Sequence, residues 1–128
     1  LKKYKRDQYE FHQNEKLNFY GRENLIKRCI SNIFENGLTY GNKIFIDIKK
    51  SMNNLVIIVE DNGPGISKSE YENVFRPFYR VDKSRGLNKS GVGLGLSVAQ
   101  DIVKSHGGKI SLSESKYKGL LVKISLPF

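Results

Sequence analysis

Three short stretches of the sequence bring polar residues and glycines together at regular spacings. In the first, Asn32, Asn36 and Tyr40 recur at every fourth position, so a helix would place them along one flank. An amide oxygen suits Mg²⁺, a hard cation that keeps water and phosphate oxygens as its other ligands. A tyrosine at the helix end could stack on an aromatic base. Taken alone, this pattern is explained better by two solvent-facing asparagines and a helix-end tyrosine.

The second stretch is Asp61-Asn-Gly-Pro-Gly-Ile66, directly after an apolar run. The carboxylate of Asp61 could accept a hydrogen bond from an exocyclic amino group, and Gly63 and Gly65 would let the backbone approach a flat ring. Such a site would favour the amino group of adenine and repel the carbonyl group of guanine. A plain turn explains the same residue types, so this motif by itself is only suggestive.

The third stretch, Gly91-Val-Gly-Leu-Gly-Leu-Ser97, lies where a helical pattern begins. Backbone N–H groups of such a glycine run can face an anion, and the helix dipole adds to the attraction. The spacing is G-x-G-x-G, which differs from the dinucleotide-binding pattern G-x-G-x-x-G. The phosphate-binding pattern G-x-x-x-x-G-K-[ST] occurs nowhere in the chain, which excludes a P-loop enzyme.

Regular elements must hold these stretches in place, and the hydrophobic periodicity predicts them. Helical spacing runs over residues 22–40 and again from the glycine run to Gly107-Gly108. Strand patterns cover residues 9–11, 17–20, 43–50, 55–60, 109–113 and 120–126. Ser67, with Glu70 three residues later, predicts a capped short helix, and the polar residues 80–90 predict a lid. Helices and a mixed sheet in separate layers form an α/β sandwich.

The composition sets limits on what the chain can be. Its 128 residues indicate one domain, and its 22 basic against 13 acidic side chains give a net charge of +9. Such a charge favours an anionic partner: nucleic acid, phospholipid or phosphate. Most of this charge lies in residues 1–6, which read as the end of a connector, and in residues 76–89. The lone Cys29 excludes an internal disulfide, no apolar run approaches the length of a membrane span, and the missing initial methionine suggests a fragment.

In their order and spacing, the motifs resemble the ATP-binding catalytic domain of bacterial sensor histidine kinases. That family carries an asparagine box, a D-x-G-x-G box, a phenylalanine box and a G-x-G-x-G box. The corresponding residues here are 32–40, 61–66, Phe75-Arg-Pro-Phe-Tyr-Arg80 and 91–96. The segment 75–85 looks particularly similar to kinases of the osmosensor type. The resemblance covers essentially the whole chain and implies the Bergerat (GHKL) fold, a two-layer α/β sandwich with a mobile ATP lid at about residues 80–91.

The resemblance also implies a role for each motif residue. Asn36 looks like the Mg²⁺ ligand, with Asn32 beside it near the phosphates, and Asp61 would hold the adenine amino group. Phe75 and Phe78 would anchor the lid, whose Arg80 and Arg85 could reach the γ-phosphate. The implied catalytic residues are Asn32, Arg80 and Arg85. The implied ATP-binding residues are Asn32, Asn36, Tyr40, Asp61, Gly63, Gly65, Ile66, Phe75, Phe78, Gly91, Val92, Gly93, Leu94, Gly95 and Leu96.

The implied activity is transfer of the γ-phosphoryl group of Mg-ATP to a histidine on a separate dimerisation domain, and then to an aspartate of a response regulator. The chain alone would bind ATP without phosphorylating anything. The implied whole protein is a homodimer anchored in the bacterial inner membrane with this domain in the cytoplasm, and a specific nucleic-acid partner is not expected. In the hydrolysing members of the superfamily the corresponding pattern is Glu-x-x-x-Asn, and its glutamate activates water. Asn32 stands at that position, and since an amide cannot take a proton from water, efficient ATP hydrolysis is disfavoured.

Two departures from the family pattern leave an alternative open. Thr39 stands where family members often place a basic residue, and Gly37 replaces a usual alanine at about 1 kcal/mol of helix propensity. The alternative is a nucleotide-binding regulatory module, or pseudokinase, without phosphotransfer. The remaining candidates are structural: Cys29 fits a core position, His12 a polar connection, and His106 a helix C-terminus where an imidazolium would suit the dipole.

Overall fold

A computed structural model of the chain describes residues 9–13, 21–78 and 95–128. Strand β1 (Tyr9–Gln13) precedes helix α1 (Glu23–Tyr40), and strands β2 (Ile44–Ser51) and β3 (Asn54–Asp61) follow as a hairpin. Two single 3₁₀ turns occupy Lys68–Glu70 and Asn73–Phe75. Helix α2 (Gly95–Ser105) then leads into a second hairpin of strands β4 (Lys109–Glu114) and β5 (Leu120–Pro127).

The strands form one sheet in the order β1-β2-β3-β5-β4. Strand β1 pairs with β2 in parallel, and the other neighbouring strands are antiparallel. Alternate residues of each central strand are buried against the helices, because successive side chains of a strand point to opposite faces. Ile44, Ile57 and Ile124 belong to this buried set, and Ile33 of α1 and Val103 of α2 complete the core from the helix side. The two-layer α/β sandwich predicted from the sequence is confirmed.

Two local predictions from the sequence are wrong in detail. Ser67 makes no side-chain capping bond; instead its carbonyl oxygen accepts the N–H of Glu70 at 2.9 Å in a turn too short to be an α-helix. In the sequence, the Gly41-Asn42 pair predicts the usual left-handed helix end. Gly41 instead ends α1 in an extended conformation, φ −111°. A Cβ at Gly41 would lie 2.7 Å from Oδ1 of Asn62, so lack of space accounts for this glycine. The predicted strand at 17–20 and loop at 80–90 lie outside the described residues.

His106 joins the ends of the two helices. Its Nε2 accepts the backbone N–H of Arg22, the N-cap residue of α1, at 3.1 Å. Its Nδ1 lies 2.8 Å from the carbonyl oxygen of Ile102, in the last turn of α2, and can donate to it. Through its two ring nitrogens, His106 thus links the last turn of α2 to the residue that precedes α1.

Within residues 9–13, 21–78 and 95–128, no helix combines the length and the hydropathy that a membrane span would need.

Candidate functional site

Asp61 is a buried carboxylate at the end of β3, with only 6% of its surface exposed. Its Oδ1 accepts two backbone N–H groups, from Gly63 at 2.9 Å and from Leu120 at 3.2 Å. The second donor comes from the first residue of β5, so the carboxylate joins the loop after β3 to the neighbouring strand. Its Oδ2 has no hydrogen bond to any residue in the described part of the chain. This oxygen faces α1, since a Cβ at Gly37 would lie 3.8 Å from it.

Burial raises the pKa of Asp61, and the N–H groups of Gly63 and Leu120 offset part of that effect. Burial acts in this direction because it disfavours the charged form, whereas the two N–H donors favour it. Burial has the larger effect on this pKa, so ionisation of Asp61 lowers the stability of the folded, ligand-free chain. An acceptor of this kind gains from a ligand that donates a hydrogen bond to Oδ2.

The raised pKa predicts how the stability of the ligand-free chain depends on pH. The contribution of Asp61 to stability is fully present below its unfolded pKa, about 4, and is lost as the pH rises through the higher folded value. The Asp61→Asn variant does not ionise, so its free energy of unfolding should increase relative to wild type from pH 4 toward neutrality. Urea denaturation of both proteins between pH 4 and 8 measures this difference. A variant that becomes relatively less stable over that range would contradict it.

Asn32 and Asn36 lie half-buried on α1, outside its core-facing stripe. The first residue of α2, Gly95, packs beside Asn32, since a Cβ at Gly95 would lie 3.7 Å from the Asn32 carbonyl oxygen. The N-terminal end of α2 carries the positive end of the helix dipole. Along α1, Asn32 therefore lies beside the start of α2, Gly37 lies beside the carboxylate of Asp61, and Asn36 lies between them.

The loop after Asp61 is fastened to the end of α1 by Asn62. Its Oδ1 accepts the backbone N–H groups of Asn42 at 3.0 Å and Lys43 at 3.1 Å, and its Nδ2 donates to Oδ1 of Asn42 at 2.6 Å. Gly65 adopts a left-handed conformation, φ 72°, which side chains rarely tolerate, and Ile66 packs against the core. The glycine-containing loop thus has a fixed shape beside the carboxylate.

The two phenylalanines of the predicted lid anchor differ. Phe75 packs against the hydrophobic core beside its 3₁₀ turn. Phe78 is 68% exposed, with φ 66°, so it is not packed as an anchor would be. The spacing of the two aromatic residues could not distinguish them, because the positive φ of Phe78 has no signature in a pattern of residue types.

Part of the predicted set, besides the two phenylalanines, lies within the described residues. These residues are Asn32, Asn36, Asp61, Gly63, Gly65, Ile66, Gly95 and the buried Leu96. Arg80, Arg85 and the glycine-run residues Gly91, Val92, Gly93 and Leu94 lie outside the described residues, and the side chain of Tyr40 is not described. Their predicted roles remain predictions.

Three residues of the site escaped the sequence motifs. Leu120 contributes a backbone N–H, which no side-chain pattern reveals, and Asn62 was taken only as a turn former. Gly119 lies so close to Asp61 that a Cβ there would overlap its Oδ1 and its backbone oxygen. The only available signal was its position just before the last strand, where a hairpin turn also explains a glycine.

The surroundings of Gly37 predict that alanine will not stabilise α1. A Cβ there would lie 2.8 Å from Cγ2 of the fully buried Ile44 and 3.5 Å from Cβ of Asp61. The gain of about 1 kcal/mol in helix propensity should be offset by crowding of about 1–3 kcal/mol. Urea denaturation of Gly37→Ala should therefore show no increase in the free energy of unfolding. A gain equal to the full propensity difference would show that Ile44 moves aside freely.

The family model of histidine kinase-, DNA gyrase B- and HSP90-like ATPases matches residues 21–128. The sensor histidine kinase CpxA of Escherichia coli is 36% identical over 109 residues, which cover 84% of this chain and 24% of CpxA. The sensor histidine kinase WalK of Bacillus subtilis is 40% identical over 108 residues, covering 80% of this chain and 18% of WalK. The chain thus spans about a quarter or less of the length of these curated relatives.

The fold agrees with that of solved histidine kinase domains. The histidine kinase domain of the E. coli osmosensor EnvZ superposes with a TM-score of 0.69 at 33% identity, covering 94% of this chain and 75% of that domain. A family match over residues 21–128, the shared sandwich and a buried carboxylate at the D-x-G-x-G motif agree with one another. The chain belongs to the histidine kinase-, DNA gyrase B- and HSP90-like ATPases, and it is an ATP-binding catalytic domain of the sensor histidine kinase type.

Proposed function

We propose that the chain binds Mg-ATP with the adenine amino group on Oδ2 of Asp61 and the phosphates toward Asn32, Asn36 and the start of α2. The observation that carries this proposal is the buried Oδ2 that has no hydrogen bond within the described residues. An amino donor would satisfy that acceptor, whereas the carbonyl group of guanine would face it with another acceptor.

We assign Asn36 as a ligand of Mg²⁺, with Asn32 beside the phosphates. An amide oxygen fits a hard cation that takes its other ligands from phosphate oxygens and water. When bound, Mg²⁺ would neutralise phosphate charge. Asn36 lies on α1 between Asn32, which contacts Gly95, and Gly37, which lies by Asp61. This order along one helix supports a nucleotide lying parallel to it.

The wider reaction that we propose is phosphoryl transfer to a histidine of a separate dimerisation domain, followed by transfer to a response regulator. Such transfer requires mostly positioning and charge neutralisation, for which this chain would supply amides and a bound divalent cation. Asn32 disfavours ATP hydrolysis, because its amide cannot act as a base toward water. Arg80 and Arg85 would be the cations of the lid that reach the γ-phosphate. The whole protein would be a homodimer, with this domain on the cytoplasmic side of the inner membrane.

Calorimetric titration with ATP, in the presence and absence of Mg²⁺, tests the binding step. We expect saturable binding that Mg²⁺ strengthens and that Asn36→Ala weakens, with GTP bound far more weakly than ATP. Equal affinity for GTP would contradict the role of Asp61.

Labelled ATP, together with a dimerisation domain supplied in trans, tests the transfer step. Label on the histidine of that domain is the expected result. Tight ATP binding without label would instead favour a regulatory nucleotide-binding module, and rapid phosphate release by the chain alone would favour an ATPase.

A further inference from the structure

The turn between β4 and β5 is closed by its own backbone and held by one buried hydroxyl. The N–H of Ser115 donates to the carbonyl oxygen of Gly119 at 2.9 Å, and the N–H of Lys118 donates to that of Ser115 at 3.0 Å. Ser115 is 5% exposed, and its Oγ accepts the N–H of Tyr117 at 3.0 Å. The same Oγ donates to Oε1 of Glu60 at 3.0 Å, so the hydroxyl connects the turn to β3.

A second contact holds the turn at the same place on the sheet. The ring of Tyr117 stacks on that of Phe45, with centroids 3.7 Å apart and planes 11° from parallel. Phe45 and Glu60 are partners in the β2–β3 register. The Ser115–Glu60 hydrogen bond and the Tyr117–Phe45 stack therefore contact one cross-strand pair, on the face of the sheet away from the helices. The turn is therefore docked on the sheet through side chains as well as through the β-ladder.

The other end of this turn sets the carboxylate of Asp61. Leu120, the residue after the turn, donates its N–H to Oδ1, and Gly119 packs directly against the Asp61 backbone. Glu60 and Asp61 are adjacent in β3, so their side chains leave on opposite faces of the sheet. One short turn thus touches Glu60 on the outer face and Asp61 on the helix face.

We propose that Ser115 and Glu60 are positioning residues for base recognition. By docking the turn they hold the Leu120 N–H on Oδ1, which keeps the Asp61 carboxylate turned so that Oδ2 meets the base. The inference rests on the proposed function, since it assumes that Oδ2 receives the adenine amino group. It assigns selectivity for the base to residues that do not touch the nucleotide.

The test compares binding of ATP with binding of inosine triphosphate, which carries a carbonyl oxygen in place of the adenine amino group. Wild type should prefer ATP by about tenfold to a hundredfold, the value of one hydrogen bond to a charged group. Ser115→Ala and Glu60→Ala should each lower that preference by about tenfold, by weakening ATP binding and leaving inosine triphosphate binding nearly unchanged. Two variants are used because Ser115 is buried and Glu60 is only half-buried.

Two matched controls should retain the wild-type preference. Glu60→Gln keeps an oxygen that can accept from Ser115, and Ser113→Ala removes an exposed hydroxyl from the neighbouring part of β4. Equal weakening of both nucleotides by Ser115→Ala and Glu60→Ala would show a general structural role and overturn the inference, as would an unchanged preference in folded variants. If wild type itself shows no preference, the proposed role of Asp61 fails first, and the two failures are thereby distinguished.

Discussion

Asp61→Asn is expected to lower the affinity for ATP by about a hundredfold while the chain remains folded. Asparagine can keep its oxygen on the N–H groups of Gly63 and Leu120, so the two bonds that fasten the loop and β5 survive. The group at Oδ2 then becomes an amide NH₂, which faces the adenine amino group with a second donor. Calorimetric titration measures the affinity, and circular dichroism of the ligand-free protein confirms the fold.

Asp47→Asn is the matched control for this substitution. Asp47 also lies in the sheet, half-buried in β2, but one residue out of phase with the buried Ile46 and therefore on the face away from the helices. The same chemical change there should leave ATP affinity within about twofold of wild type. An Asp61→Asn protein that binds ATP as tightly as Asp47→Asn would remove the basis for adenine recognition at this carboxylate.

Gly119→Ala should destabilise the fold by about 2–4 kcal/mol and abolish nucleotide binding with it. A Cβ at this position would overlap both Oδ1 and the backbone oxygen of Asp61. The backbone oxygen belongs to β3, and Oδ1 is held by the N–H groups of Gly63 and Leu120. Relief would require the β4–β5 turn to move away from β3, which breaks the Leu120 bond to the carboxylate. Urea denaturation measures the loss, and titration of the folded fraction measures the binding.

Gly95→Ala provides the contrasting result at another glycine. Among the residues that the structure describes, its Cβ would meet nothing closer than 3.7 Å, at the Asn32 carbonyl oxygen, and the residue begins a helix. The substitution should therefore raise the free energy of unfolding by up to about 1 kcal/mol. If Gly119→Ala proved as stable as Gly95→Ala, the close approach of the turn to Asp61 would not be needed for the fold.

The sheet and the helices were predictable because each has a regular hydrophobic period. The alternation of Ile44, Ile46 and Ile48 predicted β2, and helical spacing predicted α1 to within one residue of its observed start at Glu23. The prediction of a capped helix at Ser67 was wrong, because a capping pattern specifies which hydrogen bonds are available and not whether enough residues follow to form an α-helix. The residues after Ser67 form only 3₁₀ turns that carry Phe75 to the core.

Much of the candidate site could be proposed from motif order, but its supports could not. Asp61 and Asn36 carry side chains whose chemistry is visible in the sequence. The Leu120 N–H bond to Asp61, the close approach of Gly37 to Asp61 and the Ser115–Glu60 bond depend on contacts between residues far apart in the chain. No local period encodes such contacts, because they follow from the register of β3 against β5 and from the packing of α1 on the sheet.

The hydrogen bond between His106 and Arg22 bears on how far the domain can be shortened from its N-terminal side. Arg22 is the residue through which the chain enters α1, and its N–H is held by a side chain 84 residues later, at the end of α2. A shorter chain that starts after Arg22 would lose the partner of His106 and leave the first turn of α1 without this contact. A chain that starts at residue 21 would keep the bond but lose β1, so that β2 would become the open edge of the sheet, a surface on which strands of other molecules can pair.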